Sequence, residues 1–315
     1  MGKIAFVFPG QGSQSIGMGL SLYQENERAQ QIFRTADEKL DLPLSELIFN
    51  GTQQELTVTY NAQPALLTTS YALVSALEEA GIKADYTAGH SLGEYTALVA
   101  AGAISFEDAV YTVRKRGEFM EAAVPNGQGS MAAVLGMDRE ALAEVTSEIS
   151  AAGESVQLAN INCPGQIVIS GTAEGVKLAS AKAKGNGAKR ALPLEVSGPF
   201  HSELMKPAAE KLQGVLEEVT FQQAAIPVIS NVTAKPITEP VEIKGKLIEQ
   251  LYSPVLWEDS VRTLLDLGVD TFIEVGPGKV LGGLIKKIDR SVQIHSVSDL
   301  ETLTKTVETL KEAQA

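Results

Sequence analysis

Ser91 stands in Gly89-His90-Ser91-Leu92-Gly93, which fits the G-x-S-x-G pattern of a nucleophile elbow, a serine exposed on a tight turn between a strand and a helix. Glycines suit the flanking positions because the backbone passes close to its neighbours in such a turn. The surroundings agree: Tyr86-Thr87-Ala88 can end a strand, and Glu94–Ala101 is a small-residue stretch that can pack closely on a sheet as a helix. That helix would aim its N-terminal N–H groups and its dipole at the serine and at any oxyanion formed there. A chain with 28 glycines can also reach the pattern by chance. The plainer alternative is a strand–helix turn capped by Ser91.

A serine hydroxyl is a poor nucleophile until a base takes its proton. His90 adjoins Ser91, but the sharp turn should direct it away from the hydroxyl. His295, in Gln293-Ile294-His295, is expected to be a satisfied structural histidine. His201 lies in the loop Ser197-Gly198-Pro199-Phe200-His201-Ser202 and is the best candidate base, the alternative being an ordinary loop histidine. Among the cations, Arg116 stands out. On a helix over Phe106–Val124 it falls about 60° round from Val113, beside the apolar face, with Lys115 nearly opposite. It can reach inward while Arg114 and Lys115 stay solvated; the alternative is a surface arginine with only its stem covered.

These side chains need elements to position them. Short apolar runs alternate with helical patterns, an α/β signature. Lys3–Phe8 and Phe272–Val275 are expected strands, and Glu55–Ala80 and Phe106–Val124 expected helices. Ser105-Phe106-Glu107-Asp108 has the form of a capping box, and Phe106, Val110, Val113, Gly117 and Met120 then recur on one helical face. Between Gly127 and Val196 the order is strand Met131–Leu135, helix Asp138–Ala151, strands Val156–Ile161 and Gln166–Ser170, helix Ala173–Lys184 and strand Arg190–Val196. That β-α-β-β-α-β order is the split βαβ of ferredoxin-like domains, entered through the glycine-rich Asn126-Gly127-Gln128-Gly129. The expected organisation is residues 1–126 plus 197–315 as one large domain, with 127–196 inserted into it. A cleft should separate the two, with His201 at its mouth. The tail from Glu301 is polar and helix-compatible, but short for a coiled coil.

The bulk numbers restrict the partners. The chain has 315 residues, 44% hydrophobic, enough for a sizeable core. A net charge of −13 argues against nucleic acid, whose phosphates need a positive face. No apolar stretch approaches a membrane span, and Lys3–Phe8 meets Pro9-Gly10 too soon to be a secretory signal. The cytoplasm is the expected location. Cys163 is the only cysteine, which excludes a disulfide framework or a cysteine-rich metal site, and the histidines are too scattered for a metal cluster.

Several motifs coincide with one family. Pro9-Gly10-Gln11-Gly12-Ser13-Gln14, Gly89-His90-Ser91-Leu92-Gly93, Arg116, Gly198-Pro199-Phe200-His201-Ser202 and Glu274-Val275-Gly276-Pro277-Gly278 occur in order. Over essentially its whole length the chain resembles the bacterial malonyl-CoA:acyl carrier protein transacylases. The resemblance implies an α/β-hydrolase-like large domain carrying a ferredoxin-like small one. It implies Ser91 as the acylated nucleophile and His201 as base and acid, with the imidazole oriented by a backbone carbonyl at Gln250. It implies backbone N–H groups of Gln11 and Leu92 as oxyanion donors, and Arg116 as holder of the free malonyl carboxylate through two parallel hydrogen bonds. Phe200 beside His201, and Leu92 after Ser91, resemble the malonyl-selective variants. Malonyl-CoA and an acyl carrier protein are the implied partners. Coenzyme A enters as the thioester substrate, with no permanently bound cofactor.

Both partners are anionic, so an acidic chain would need a local basic dock. The expected candidates are Lys182, Lys184, Lys189 and Arg190, or Lys279, Lys286 and Lys287. Three rival readings remain. A serine hydrolase or thioesterase sharing the elbow would need an acid behind His201, and the sequence marks none. A Rossmann-type nucleotide binder is suggested by Gly10-Gln11-Gly12 and Gly276-Pro277-Gly278, but neither continues as G-x-G-x-x-G. A scaffold with a decayed site is opposed by the joint presence of Ser91, His201 and Arg116.

Overall fold

The apolar run at the start of the chain alternates its side chains between two buried faces. Ile4, Phe6 and Phe8 enter one hydrophobic cluster, and Ala5 and Val7 another. A strand buried on both sides belongs in the middle of a parallel sheet, and that is its place in the computed structural model, which describes residues 2–125 and 127–313. Asn126, the first residue of the expected entrance, lies outside the described residues.

Among the described residues there are ten strands: β1 (Lys3–Phe8), β2 (Tyr86–Gly89), β3 (Gly129–Leu135), β4 (Val156–Cys163), β5 (Gln166–Thr172), β6 (Arg190–Pro193), β7 (Val228–Ile229), β8 (Pro236–Ile237), β9 (Val269–Val275) and β10 (Gln293–Val297). They form two sheets in a mixed α/β fold. The larger has the order β10-β9-β1-β2-β7-β8 and is parallel except for β8. Its registers pair Phe8 with Gly89 and Ala88 with Ile229. The loops after β1, β2 and β7 therefore leave the same edge of the sheet, where open α/β sheets place their ligands.

The smaller sheet is antiparallel, in the order β4-β5-β3-β6. The helices Arg139–Ala151 and Ala173–Gly185 cover one face. Ala132, Val134, Ile167 and Ile169 join their core, while Met131 and Val168 point the other way into the main one. The period of two along each strand thus serves two cores at once. The sheets are stitched along β4, where the Ile161 N–H donates to the Val255 carbonyl (2.9 Å) and the Val255 N–H to that of Ala159 (2.8 Å).

Several elements differ from expectation. The helix expected over Glu55–Ala80 is two: Gln53–Thr57, started by a reciprocal Thr52/Glu55 capping box, and Thr59–Glu79, with extended Val58 between them. The second lies in the core along most of its length, with Pro64 inside it. Proline has no N–H to offer the carbonyl four residues back, so the Tyr60 carbonyl accepts from the Arg114 guanidinium instead (3.1 Å). Arg114 is therefore not solvated: it also lies over the Tyr60 ring and is 17% exposed. Only half of the expected Ser105 box forms among the described residues, with Ser105 Oγ accepting from the Asp108 N–H.

β6 stops at Pro193 rather than Val196. The Leu194 N–H still reaches the Met131 carbonyl, but the Val196 N–H folds back onto that of Leu194 and ends the ladder. The tail forms the helix Leu300–Glu312, which buries Leu303 and Leu310 in the main core. No helix among the described residues is long and apolar enough to cross a membrane.

Candidate active site

The elbow is built by close backbone approach. A Cβ at Gly89 would lie 1.9 Å from the carbonyl carbon of Gly93, and one at Gly93 would lie 2.2 Å from the Phe8 carbonyl oxygen. Only residues without a side chain let β2 turn this sharply into the helix Gly93–Ala100. Ser91 sits at the apex with φ 52°, a left-handed conformation that costs a non-glycine residue about 1–2 kcal/mol. Asn231, in the loop after β7, holds it there. Its Oδ1 accepts from the Ser91 N–H (2.7 Å), and its Nδ2 donates to the Gly89 carbonyl (2.6 Å).

His201 also has positive φ, 58°. Its Nε2 lies 2.7 Å from Ser91 Oγ and its Nδ1 2.8 Å from the Gln250 carbonyl. A carbonyl can only accept, so Nδ1 carries the proton and Nε2 presents its lone pair to the serine. Burial, with the Arg116 charge second, pushes the imidazole pKa down to about 3, so the ring is neutral at physiological pH. Among the described residues no carboxylate bonds it.

Arg116 is 1% exposed. The helix Phe106–Ala122 that carries it presses against the helix Thr59–Glu79 at Gly117, where a Cβ would meet Tyr60 Cα at 2.5 Å. The guanidinium donates from Nη1 to Gln63 Oε1 (2.7 Å), and from Nη2 to Gln250 Oε1 (2.9 Å) and Ser91 Oγ (3.1 Å). These acceptors are all neutral. The carboxylate in the same network is Glu94, on the far side of the Gln250 amide: Gln250 Nε2 donates to Glu94 Oε2 (2.7 Å). Burial raises the Glu94 pKa to about 7, against the lowering effects of Gln250, the Asn231 N–H and Arg116.

A cavity of about 170 Å³ opens over Ser91, lined by Arg116, His201, Met120, Met131, Leu194 and Phe200 among others. Gln11 and Leu92 also line it, and among the described residues neither backbone N–H has an intramolecular acceptor. The fold thus brings Ser91, His201, Arg116, Gln11, Leu92 and Phe200 to one cavity, with Gln250 buried behind it and bonded to both His201 and Arg116. His90 turns away to Asn162 (2.9 Å) and lies near Trp257. His295 differs from expectation: it is half-buried in β10, and its Nε2 is without a hydrogen-bond partner. Of the expected dock cations, Lys182 pairs with Glu148, Lys286 donates to the Arg290 and Val292 carbonyls, and Lys287 donates to Gln166.

Gln63, Glu94 and Asn231 are additions that the sequence does not single out. Glu94 carried a signal, a lone charge at the head of the otherwise uncharged Tyr95-Thr96-Ala97-Leu98-Val99. Gln63 and Asn231 gain meaning only from partners more than fifty positions away. Among the described residues, no group of three or more His, Cys, Asp or Glu side chains could hold a metal ion.

The acyl transferase domain model matches residues 5–311. The chain belongs to this acyl transferase family. A malonyl CoA-acyl carrier protein transacylase of Bacillus subtilis (strain 168) is 65% identical over 312 residues, covering 99% of this chain and 98% of the relative. One from Staphylococcus aureus (strain MRSA252) is 48% identical over 96% of this chain and 97% of its own length. Among solved structures, the transacylase of the same description from Clostridium perfringens superposes with a TM-score of 0.96 at 41% identity, covering 99% of this chain and 98% of that one. The malonyl-transacylase solved in complex with its type II PKS acyl-carrier protein gives 0.94 at 43% identity, over 98% and 99%.

Proposed function

We propose that this acyl transferase moves a malonyl group from malonyl-CoA to the phosphopantetheine thiol of an acyl carrier protein, through a malonyl ester on Ser91, supplying fatty-acid or polyketide synthesis in the cytoplasm. One observation carries the substrate assignment. A buried guanidinium stands 3.1 Å from the nucleophile with only neutral acceptors, and such a cation favours an acyl group that brings its own carboxylate. The names of the full-length relatives agree.

In the first half-reaction His201 Nε2 takes the Ser91 proton as Oγ attacks the thioester carbon. The N–H groups of Gln11 and Leu92 serve the oxyanion, and coenzyme A leaves as the thiol with the proton returned by His201. In the second, the carrier thiol gives its proton to His201 and attacks the Ser91 ester, and Ser91 regains its proton. The Gln250 carbonyl stabilises the imidazolium formed in each half, in place of an acid. Phe200 narrows the cavity around the acyl group. Every acid, base and donor in this cycle comes from the chain, so no metal or bound cofactor enters it.

We assign the catalytic elements to an α/β-hydrolase-like domain, residues 1–126 plus 197–315, and residues 127–196 to a ferredoxin-like insertion. The parallel sheet with its elbow and the antiparallel β4-β5-β3-β6 sheet support that division. Intact-mass measurement after mixing with malonyl-CoA tests the function. A malonyl adduct is expected on the wild type and not on Ser91→Ala. Rapid release of free malonate without an adduct would instead indicate a thioesterase.

A further inference from the structure

Arg116 and Glu94 are both buried, carry opposite charges, and do not touch. The Gln250 amide separates them, its Oε1 accepting a hydrogen bond from the guanidinium and its Nε2 donating one to the carboxylate. The arrangement keeps a countercharge near Arg116 while leaving the guanidinium free of a direct carboxylate partner. Glu94 Oε2 accepts two donors, Gln250 Nε2 and the Asn231 N–H (3.2 Å), whereas Oε1 is buried with no hydrogen-bond partner.

Resting on the malonyl reading above, we propose that Glu94 is the resident countercharge of Arg116, and that it gives up this role by taking a proton from solvent when the malonyl carboxylate seats on the guanidinium. The argument is one of charge balance in a poorly hydrated space. Two carboxylates and one guanidinium would leave a net negative charge where desolvation is costly. Proton uptake by one carboxylate restores neutrality, and the malonyl carboxylate holds the direct hydrogen bonds. Oε1 is the free oxygen, so the proton goes there, and the Gln250 and Asn231 contacts to Oε2 persist. The titratable or charged groups facing Glu94 are Arg116, on the Phe106–Ala122 helix, and Tyr95 beside it. Tyr95 stays a neutral phenol because burial raises its pKa. The loop after β7 and the end of the Pro240–Gln250 helix supply the neutral amides of Asn231 and Gln250. With a pKa of about 7 in the free enzyme, Glu94 is mainly ionised above neutrality, and an added negative charge nearby raises it further.

By linkage, malonyl binding then weakens as pH rises above about 7, by up to about tenfold per pH unit. An acetyl group, lacking the carboxylate, should show no such dependence. The test is proton uptake, followed with an indicator dye at about pH 7.5 in weak buffer, when excess malonyl-CoA acylates wild type and Glu94→Gln, with intact mass counting the adduct. Glutamine keeps an acceptor for Gln250 but cannot titrate. Uptake of a substantial fraction of one proton per malonyl adduct in wild type, and none in Glu94→Gln, is expected. Adduct formation without uptake in wild type overturns the proposal, whether or not the variant folds, as does equal uptake in both proteins. Absence of any adduct in wild type would instead overturn the malonyl reading itself.

Discussion

On the proposed reading, Arg116 concentrates most of the specificity in one side chain. Truncating one member of a buried, hydrogen-bonded charge pair costs about 2–5 kcal/mol. Arg116→Ala should therefore lower kcat/KM for malonyl-CoA by about 30- to 5,000-fold, without a comparable loss for acetyl-CoA. Arg116→Lys should recover only part of the activity, because an ammonium lacks the planar fork. Parallel steady-state assays on the two thioesters check both. His201 gives a second prediction. Protonation would remove the Nε2 lone pair, and an ordinary histidine would lose it from pH 6.5 downward. Held at about 3, this imidazole stays unprotonated, so the malonylation rate should stay level as pH falls from 7 to 5. A rate falling tenfold per unit below 6.5 would contradict it. The elbow pattern and the Gly/Pro loop pointed to Ser91 and His201 as a pair, and the two do stand within hydrogen-bond distance, whereas Arg116 rose above a surface arginine only through the family resemblance. Gln63 and Asn231 were not legible in the sequence, since a buried amide is defined by partners that only the fold supplies.

Elements succeed here where the backbone geometry permits them, and glycine marks the limits in both directions. At Gly89 an added methyl would collide with Gly93 backbone at 1.9 Å. Backbone cannot swing aside as a flexible side chain can, so Gly89→Ala should cost about 3 kcal/mol or more and appear as poor folding. Gly214 is the reverse case, exposed in the helix Lys206–Glu218 with nothing within 4 Å of the place a methyl would take. Gly214→Ala should stabilise by about 0.5–1 kcal/mol, chiefly by restricting the unfolded chain, and raise Tm by about 1–3 °C in a thermal melt. The strands of the smaller sheet were readable in their order, though not at their ends, because they are short apolar runs and their turns carry glycine, as at Gly165 (φ 71°). The split at Val58 escaped periodicity, because the flanking helices share one apolar pattern and the break lies in a single ψ. The early end of β6 likewise depends on Val196 folding back on Leu194, a choice made by the chain beyond the strand.

At the scale of the whole molecule the site depends on how the two sheets meet. Ser91 and the Gln250 carbonyl belong to the part built on the larger sheet, while His201 follows β6 of the smaller one. Gln157, on β4, links them. Its Nε2 lies 3.3 Å from both the His201 and Tyr252 carbonyls, and its Oε1 accepts from the Glu203 N–H at 2.9 Å. One amide thus ties the histidine loop, the chain just past Gln250 and the following turn to the smaller sheet. The His201 backbone is strained, and strained positions persist only where their surroundings over-determine them. Gln157→Ala removes the tie without touching substrate or either reacting group. Each lost hydrogen bond is worth about 0.5–1.5 kcal/mol, so Tm should fall modestly. The sharper effect should be on rate, because misplacing the base by a fraction of an ångström costs acylation directly. Single-turnover malonylation should slow about tenfold while KM for malonyl-CoA, which the proposed role assigns mainly to Arg116, changes little. Gln157→Glu should behave differently: it keeps the acceptor for the Glu203 N–H but sets a carboxylate against two carbonyl oxygens, so its rate defect should lessen as pH falls and the carboxylate protonates. A Gln157→Ala enzyme with unchanged acylation rate would show that the larger part alone positions the histidine.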